Sequence, residues 1–195
     1  LVYNPAAGRF PSKMLTERAA GTLESQGWHI QLETTHGGPH ITELAKQAVA
    51  QAMDAFLVAG GDGSVNFAVN GLVGSKTALG VLPAGTANVW AKEIGLPVLT
   101  WTRLNALEES AALLANADIQ LADVGLCDQR SFLLWSGVGL DAYIVHHIEP
   151  RSRWEKHFSV AQYATSALIQ ASTFGGGIDL NIEANDESFS GHYLL

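Results

Sequence analysis

Ala55-Phe56-Leu57-Val58-Ala59-Gly60-Gly61-Asp62-Gly63-Ser64 is the stretch on which the fold turns. Its opening is a continuous apolar run bounded by Asp54 and Gly60, with no polar alternation, which suits a parallel strand covered on both faces. Gly60 and Gly61 then break the strand, and helical spacing follows from about Ser64 to Leu72. Such a turn leaves unpaired backbone N–H groups facing outward at the positive end of the helix dipole, a cradle for phosphate. Glycines let the backbone approach phosphate oxygens without a Cβ in the way. Asp62 can hold Mg²⁺ or orient phosphates and Ser64 can donate a hydroxyl. The competing reading is a tight strand-to-helix turn in which Asp62 is only a cap.

Outward from this stretch the same unit repeats. Leu1-Val2-Tyr3 reads as a strand that the chain enters already in progress, which suggests that at least one end is trimmed. It runs into the turn Asn4-Pro5-Ala6-Ala7-Gly8, and Ser12 stands as an N-cap for a helix to about Gln26. Trp28 to Leu32 alternates as a strand does, and Thr42 to Met53 carries helical spacing at Leu44, Ala48 and Ala52. A short strand Leu79-Gly80-Val81-Leu82 leads into Pro83-Ala84-Gly85-Thr86-Ala87-Asn88, a helix near Ala87 to Glu93 and another from about Leu104 to Asn116. Alternating strands and helices predict an α/β fold, a mostly parallel sheet with helices on both faces. Strand-like runs near Ile119 to Cys127, Ser131 to Val138 and Ile178 to Glu183, with helical spacing over Trp154 to Ser172, then announce a β-rich, sandwich-like second domain. The expected division is 1–116 and 117–195, with the second domain incomplete at its C-terminus.

Ligands in open α/β sheets sit at the carboxyl ends of the strands, so the loops at 4–8, 60–64 and 83–88 are expected to converge on one crevice. The composition narrows the chemistry further. A formal net charge of −8 disfavours nonspecific nucleic-acid binding, which needs a basic surface. One cysteine, Cys127, excludes an internal disulfide and reads as a small buried residue. No apolar run reaches membrane-span length and no signal-peptide layout opens the chain, so a cytoplasmic setting is expected. Serine-hydrolase, P-loop and zincin motifs are absent from the sequence.

The loops and the residues around them resemble the catalytic domain of diacylglycerol kinases and their bacterial lipid-kinase relatives. The similarity runs in order through Asn4 to Gly8, Thr35 to Ala45, Gly60 to Leu72, Leu82 to Asn88 and Gly137-Val138-Gly139-Leu140-Asp141-Ala142. The resemblance implies Mg²⁺-dependent transfer of the ATP γ-phosphoryl group to a lipid hydroxyl, with the enzyme meeting its lipid peripherally at a membrane surface. It implies ATP contacts at Asn4, Thr35, Gly61 to Asn66 (Gly61, Asp62, Gly63, Ser64, Val65, Asn66) and Thr86. Pro5, Gly8, Gly60, Gly85 and Asn88 fall in the same loops and are counted with the nucleotide surface. Asp62 takes the place of the essential acidic residue, and Asp123 that of an acidic position near the interdomain cleft supporting the metal and its waters. A homodimer is compatible with this reading. In this family the general base, a Glu, and further metal-binding positions lie downstream of the last residue here.

The chain departs from the family pattern in three places: Ser64 stands for the usual Thr, Phe67 for the usual Glu and Val89 for a frequent Asp. The latter two remove carboxylates, which keeps a noncatalytic nucleotide- or lipid-binding module open beside a kinase of the same fold acting on another acceptor such as NAD. Adjacent His146 and His147 lack partners at ligand spacing and read as structural or exposed. Trp90, Trp101 and Trp135 read as core, with an interfacial patch as the other reading. Arg151, Arg153 and Lys156 read as a solvated helix start, with contact to anionic headgroups as the alternative.

Overall fold

A computed structural model of the chain describes residues 1–5, 12–134, 136–140, 142–143 and 177–193. Four parallel strands form its central sheet in the order β2-β1-β3-β4: β1 is Val2–Tyr3, β2 Glu33–Thr34, β3 Ala55–Gly60 and β4 Ala78–Pro83. The crossovers carry α1 (Ser12–Ser25), α2 (Gly38–Ala50) and α3 (Asp62–Leu72); α4 (Val89–Glu93) and α5 (Ala106–Ala115) follow β4. Parallel neighbours cannot be joined by a tight turn, so each connection must cross a face of the sheet, and a helix is the segment that satisfies its own backbone while doing so.

Strand periodicity decides which helix packs where. Tyr3, Leu57, Ala59 and Leu82 point to one face and bury against Leu15, Ala19 and Leu23 of α1 and Leu107 and Ala111 of α5. Val2, Phe56 and Val58 point to the other, against Ile41 and Ala45 of α2 and Ala68 and Leu72 of α3. The unbroken apolar run at 55–59 is what a strand needs when both faces are covered. Leu23, Leu82 and Leu107 are fully buried, each contributing about 1.5–3 kcal/mol over exposure. A smaller cluster of Val65, Val81, Ala91 and Leu96 seats α4 beside the first turn of α3.

Antiparallel pairing begins after α5. Strands β5 (Gly125–Cys127) and β6 (Arg130–Phe132) form one hairpin, β7 (Ile178–Ala184) and β8 (Glu187–Tyr193) another. The second turns through Asn185 and Asp186, both at positive φ, the two-residue hairpin chemistry that Asn and Asp tolerate. By backbone proximity the chain divides into compact units Leu1–Leu134 and Trp135–Leu195. The expected fold class, a parallel sheet with helices on both faces followed by antiparallel strands, is the one observed.

Several boundaries move. β2 is Glu33–Thr34, at the end of the strand expected over Trp28 to Leu32: Leu1 N–H donates to the Gln31 carbonyl at 2.8 Å and Glu33 N–H to the Leu1 carbonyl at 2.9 Å, so pairing takes in the last residues of that run. Helix α2 starts at Gly38 rather than Thr42, with Pro39 in its first turn, where a missing N–H costs nothing. Helix α4 starts at Val89 rather than Ala87 because Asn88 is left-handed. Residues 117–124 are unpaired, and β6 covers only Arg130–Phe132 of the run expected to reach Val138. Cys127, read as buried, is exposed at the end of β5 beside the turn at Asp128. Trp101, read as core, is 75% exposed, whereas Trp90 is half-buried against the cluster that seats α4. Gly8, Trp135, Asp141, His146, His147, Arg151, Arg153, Lys156 and the helix expected over Trp154 to Ser172 lie outside the described residues.

Candidate functional site

Strand order 2-1-3-4 reverses direction between β1 and β3, and at that switch the loops leaving the carboxyl ends part to opposite faces and open a crevice. The register aligns Tyr3 with Ala59, Ala59 with Leu82 and Gly60 with Pro83, so Asn4, Gly61 and Ala84 leave the sheet along one edge. Thr35 follows β2 on that edge, two strand spacings, roughly 10 Å, from Gly60. The structure thus brings the predicted loops at 4–5, 35, 60–66 and 83–88 to the same end of the sheet.

The first turn of α3 presents what an anion needs. The amides of Ser64 and Val65 both donate to the Gly61 carbonyl, at 2.9 and 3.1 Å. Those of Asp62 and Gly63 have no partner among the described residues. Gly63 is exposed, and a Cβ added there meets nothing within 4 Å, so no internal contact explains its glycine. Gly60 is different: a Cβ there would fall 2.8 Å from Ser64 Oγ. The Val65 side chain is buried in the core, and Asn66 is half-buried, its carbonyl accepting from Asn70 Nδ2 at 2.9 Å.

The loop after β4 locks onto this turn. Ala84 N–H donates to the Gly60 carbonyl at 3.1 Å, extending the sheet ladder by one step. A Cβ on Gly85 would lie 2.3 Å from Gly61 Cα, so the two backbones meet where no side chain fits. Asn88, 4% exposed with φ 49°, accepts from Gly85 N–H through Oδ1 and donates to the Gly85 carbonyl through Nδ2, both at 2.9 Å. Asp62 closes the seam, its Oδ1 accepting from Trp90 N–H at 3.1 Å. Thr86 stands exposed between these anchors.

Thr35 is 2% exposed, its N–H donates to the Tyr3 carbonyl at 2.9 Å, and its Oγ1 has no hydrogen-bond partner among the described residues. A buried hydroxyl without a partner costs about 1–3 kcal/mol, so a ligand atom that meets it recovers that energy. Beside it, His36 N–H donates to His40 Nδ1 at 3.2 Å, and the two imidazoles stack with centroids 5.1 Å apart. Phe67, at the position where the resemblance expects Glu, lies against the Gly38 backbone with the Arg130 guanidinium 5.9 Å from its ring centroid. Asp123 is exposed in the unpaired segment before β5. Among the described residues no group of three His, Cys, Asp or Glu side chains gathers as a metal site. Mg²⁺ fits such a site chiefly through substrate phosphates and one or two carboxylates, for which the second oxygen of Asp62 is the candidate.

Sequence reading missed Asn70. Its Nδ2 donates to the Ser131 carbonyl at 2.7 Å and its Oδ1 accepts from Ser131 N–H at 2.9 Å, pinning β6 to α3. Only the 61-residue separation hid it, since nothing local marks an asparagine that replaces a strand neighbour. A cavity of about 1000 Å³ lies elsewhere, at the amino edge of the sheet, lined by Leu1, Trp28, Ile30, Gln47, Ala55 and others.

The fold and this edge define an open parallel α/β protein whose candidate site is built from loops at the topological switch point. The model of the diacylglycerol kinase catalytic domain matches residues 1–127, and the chain belongs to that family. It is 30% identical to a diacylglycerol kinase of Bacillus subtilis (strain 168) over 141 residues, 71% of the chain and 45% of that protein. A diacylglycerol kinase of Mycobacterium tuberculosis is 31% identical over 157 residues, 77% of the chain and 48% of the relative. The crystal structure of a diacylglycerol kinase from Bacillus anthracis str. Sterne superposes with a TM-score of 0.73 at 20% identity, covering 99% of this chain and 60% of that one. The chain therefore spans about half the length of these relatives. No described helix is long and apolar enough to cross a membrane.

Proposed function

We propose that the protein transfers the γ-phosphoryl group of ATP, with Mg²⁺, to the hydroxyl of a diacylglycerol-type lipid, and that the carboxyl edge of the sheet binds the nucleotide. The observation that carries this reading is the turn at Gly61 to Ser64, where two amides without a partner among the described residues and an open glycine stand at the N-terminus of an eleven-residue helix. Backbone donors there favour phosphate oxygens, and phosphoryl transfer asks a protein mostly for positioning and charge stabilisation. Asn4, Pro5, Gly8, Thr35, Gly60 to Asn66, Gly85 and Thr86 belong to the nucleotide surface, with Asn88 buried behind the loop that carries Gly85 and Thr86. Mg²⁺ would neutralise developing charge on the transferring phosphates. Asp62 would approach it with the oxygen not taken by Trp90, and Asp123 would support the metal indirectly.

In this reading residues 1–116 form the nucleotide domain and 117–195 belong to the acceptor side, which meets its lipid peripherally at a membrane surface in the cytoplasm. Support for a lipid acceptor comes from family membership and from the relatives named as diacylglycerol kinases.

The test is labelled-phosphate transfer from ATP and Mg²⁺ to diacylglycerol, ceramide, sphingosine, phosphatidylglycerol and NAD. It uses the complete product of the gene, this chain, and an Asp62→Ala variant. Labelling of diacylglycerol by the complete product, reduced by roughly a hundredfold or more in Asp62→Ala, is the expected result. ATP binding with no labelling of any acceptor would overturn the catalytic reading and favour a binding module.

A further inference from the structure

Asn88 has every strong hydrogen-bonding atom of its amide turned inward. Its Oδ1 takes the Gly85 N–H and one Nδ2 hydrogen reaches the Gly85 carbonyl, closing a two-way clasp within a single turn. At 4% exposure it has little surface left for a ligand. Its left-handed backbone is a conformation that asparagine tolerates better than most residues, and it delays the start of α4 by one residue. The residue it clasps is the one whose backbone touches Gly61, at the seam between the two loops. A second tie, Trp90 N–H to Asp62 Oδ1, crosses the same seam from the other side of Asn88.

We infer that Asn88 is a positioning residue that shapes the 83–88 loop around Gly85 and so holds the turn at Gly61 to Ser64 in its phosphate-ready form, without itself touching the nucleotide. This deepens the proposed nucleotide site and rests on that reading. In a loop held only by its chain ends, Gly85 would drift from Gly61, and the amides of Asp62 and Gly63 would lose the support that aims them. Asn88 and the Asp62 to Trp90 contact instead make the two loops one body.

Two variants of the chain separate positioning from contact. Asn88→Gly removes both side-chain bonds and keeps the left-handed backbone free of strain; Asn88→Ala removes the same bonds and adds backbone strain. NMR-detected hydrogen exchange of the Gly85 amide reads the clasp, and titration with ATP and Mg²⁺ reads the site. In Asn88→Gly, Gly85 is expected to exchange on the order of tenfold faster and ATP to bind about three- to tenfold more weakly. Both changes are expected to be larger in Asn88→Ala, with affinity following exchange. Direct contact would give the two variants equal affinity losses, because both delete the same amide, and that result overturns the inference. So does unchanged Gly85 exchange in Asn88→Gly while the wild-type chain binds ATP normally. If the wild-type chain binds no ATP, the site reading falls and the role of Asn88 there falls with it.

Discussion

The two edges of the parallel sheet share the same strands and offer opposite things. At the amino edge, Leu1, Trp28, Ile30 and Ala55 frame a cavity of about 1000 Å³. At the carboxyl edge, among the described residues, two helix amides are unpartnered, a buried hydroxyl lacks a partner and two loops meet backbone to backbone. Space is what packing leaves over, whereas a ligand site is marked by polar groups whose bonds have been left unmade. The parallel sheet explains why the marked edge is this one: every strand ends there, and every following helix starts there with its N–H groups outward.

The comparison can be broken at four points. Leu82→Ala, in the fully buried core of β4 between the edges, is expected to cost about 2–5 kcal/mol in denaturant unfolding. It should weaken both edges together; a loss confined to ATP binding would show that the edges do not share one scaffold. Gly85→Ala puts a Cβ 2.3 Å from Gly61 Cα and is expected to cost about 1–3 kcal/mol. ATP affinity should fall by tenfold or more there, on the order of 1.4 kcal/mol, while the NMR signals of Trp28 at the other edge stay in place. Normal ATP binding by this variant would remove the seam from the site.

Thr35→Val sharpens the contrast because its two effects have opposite signs. Deleting a buried hydroxyl that has no partner should leave the ligand-free chain as stable as before or up to about 1 kcal/mol more stable. The same change should weaken ATP by about three- to tenfold, and calorimetric titration beside thermal unfolding checks both. A variant that is less stable and binds ATP normally would give the hydroxyl a structural role. Gln47→Ala, on the exposed part of the amino-edge cavity, is expected to change stability by less than about 0.5 kcal/mol and ATP affinity not at all. A drop in affinity would move the nucleotide to the wrong edge for this reading.

The legible parts of the molecule are those whose causes are local. The run at 55–59 declares a strand covered on both faces, and the glycines after it declare a turn into a helix. At Trp28 to Leu32 alternation marks a segment able to be a strand, while pairing decides which residues become one, and here the ladder with Leu1 to Tyr3 takes in Gln31 to Thr34. Cys127 and Trp101 misled for a related reason: residue type states a preference for burial, and neighbouring elements decide whether anything covers the side chain.

Sequence alone determined the alternation of strands and helices and the loops at strand ends, because periodicity and turn chemistry act over a few residues. Whether Gly60, Gly61, Gly63 and Gly85 serve a ligand or a neighbour was a matter for tertiary structure. Gly60 yields to Ser64, Gly61 and Gly85 yield to each other across 24 residues, and Gly63 alone among them faces open space. Tertiary structure also decided that Asn88 is bonded to Gly85, that Asn70 holds Ser131 and that the Thr35 hydroxyl is buried without a partner among the described residues. Those outcomes depend on distances between segments that no local pattern encodes, since a glycine or an amide looks the same in sequence whatever stands 3 Å away.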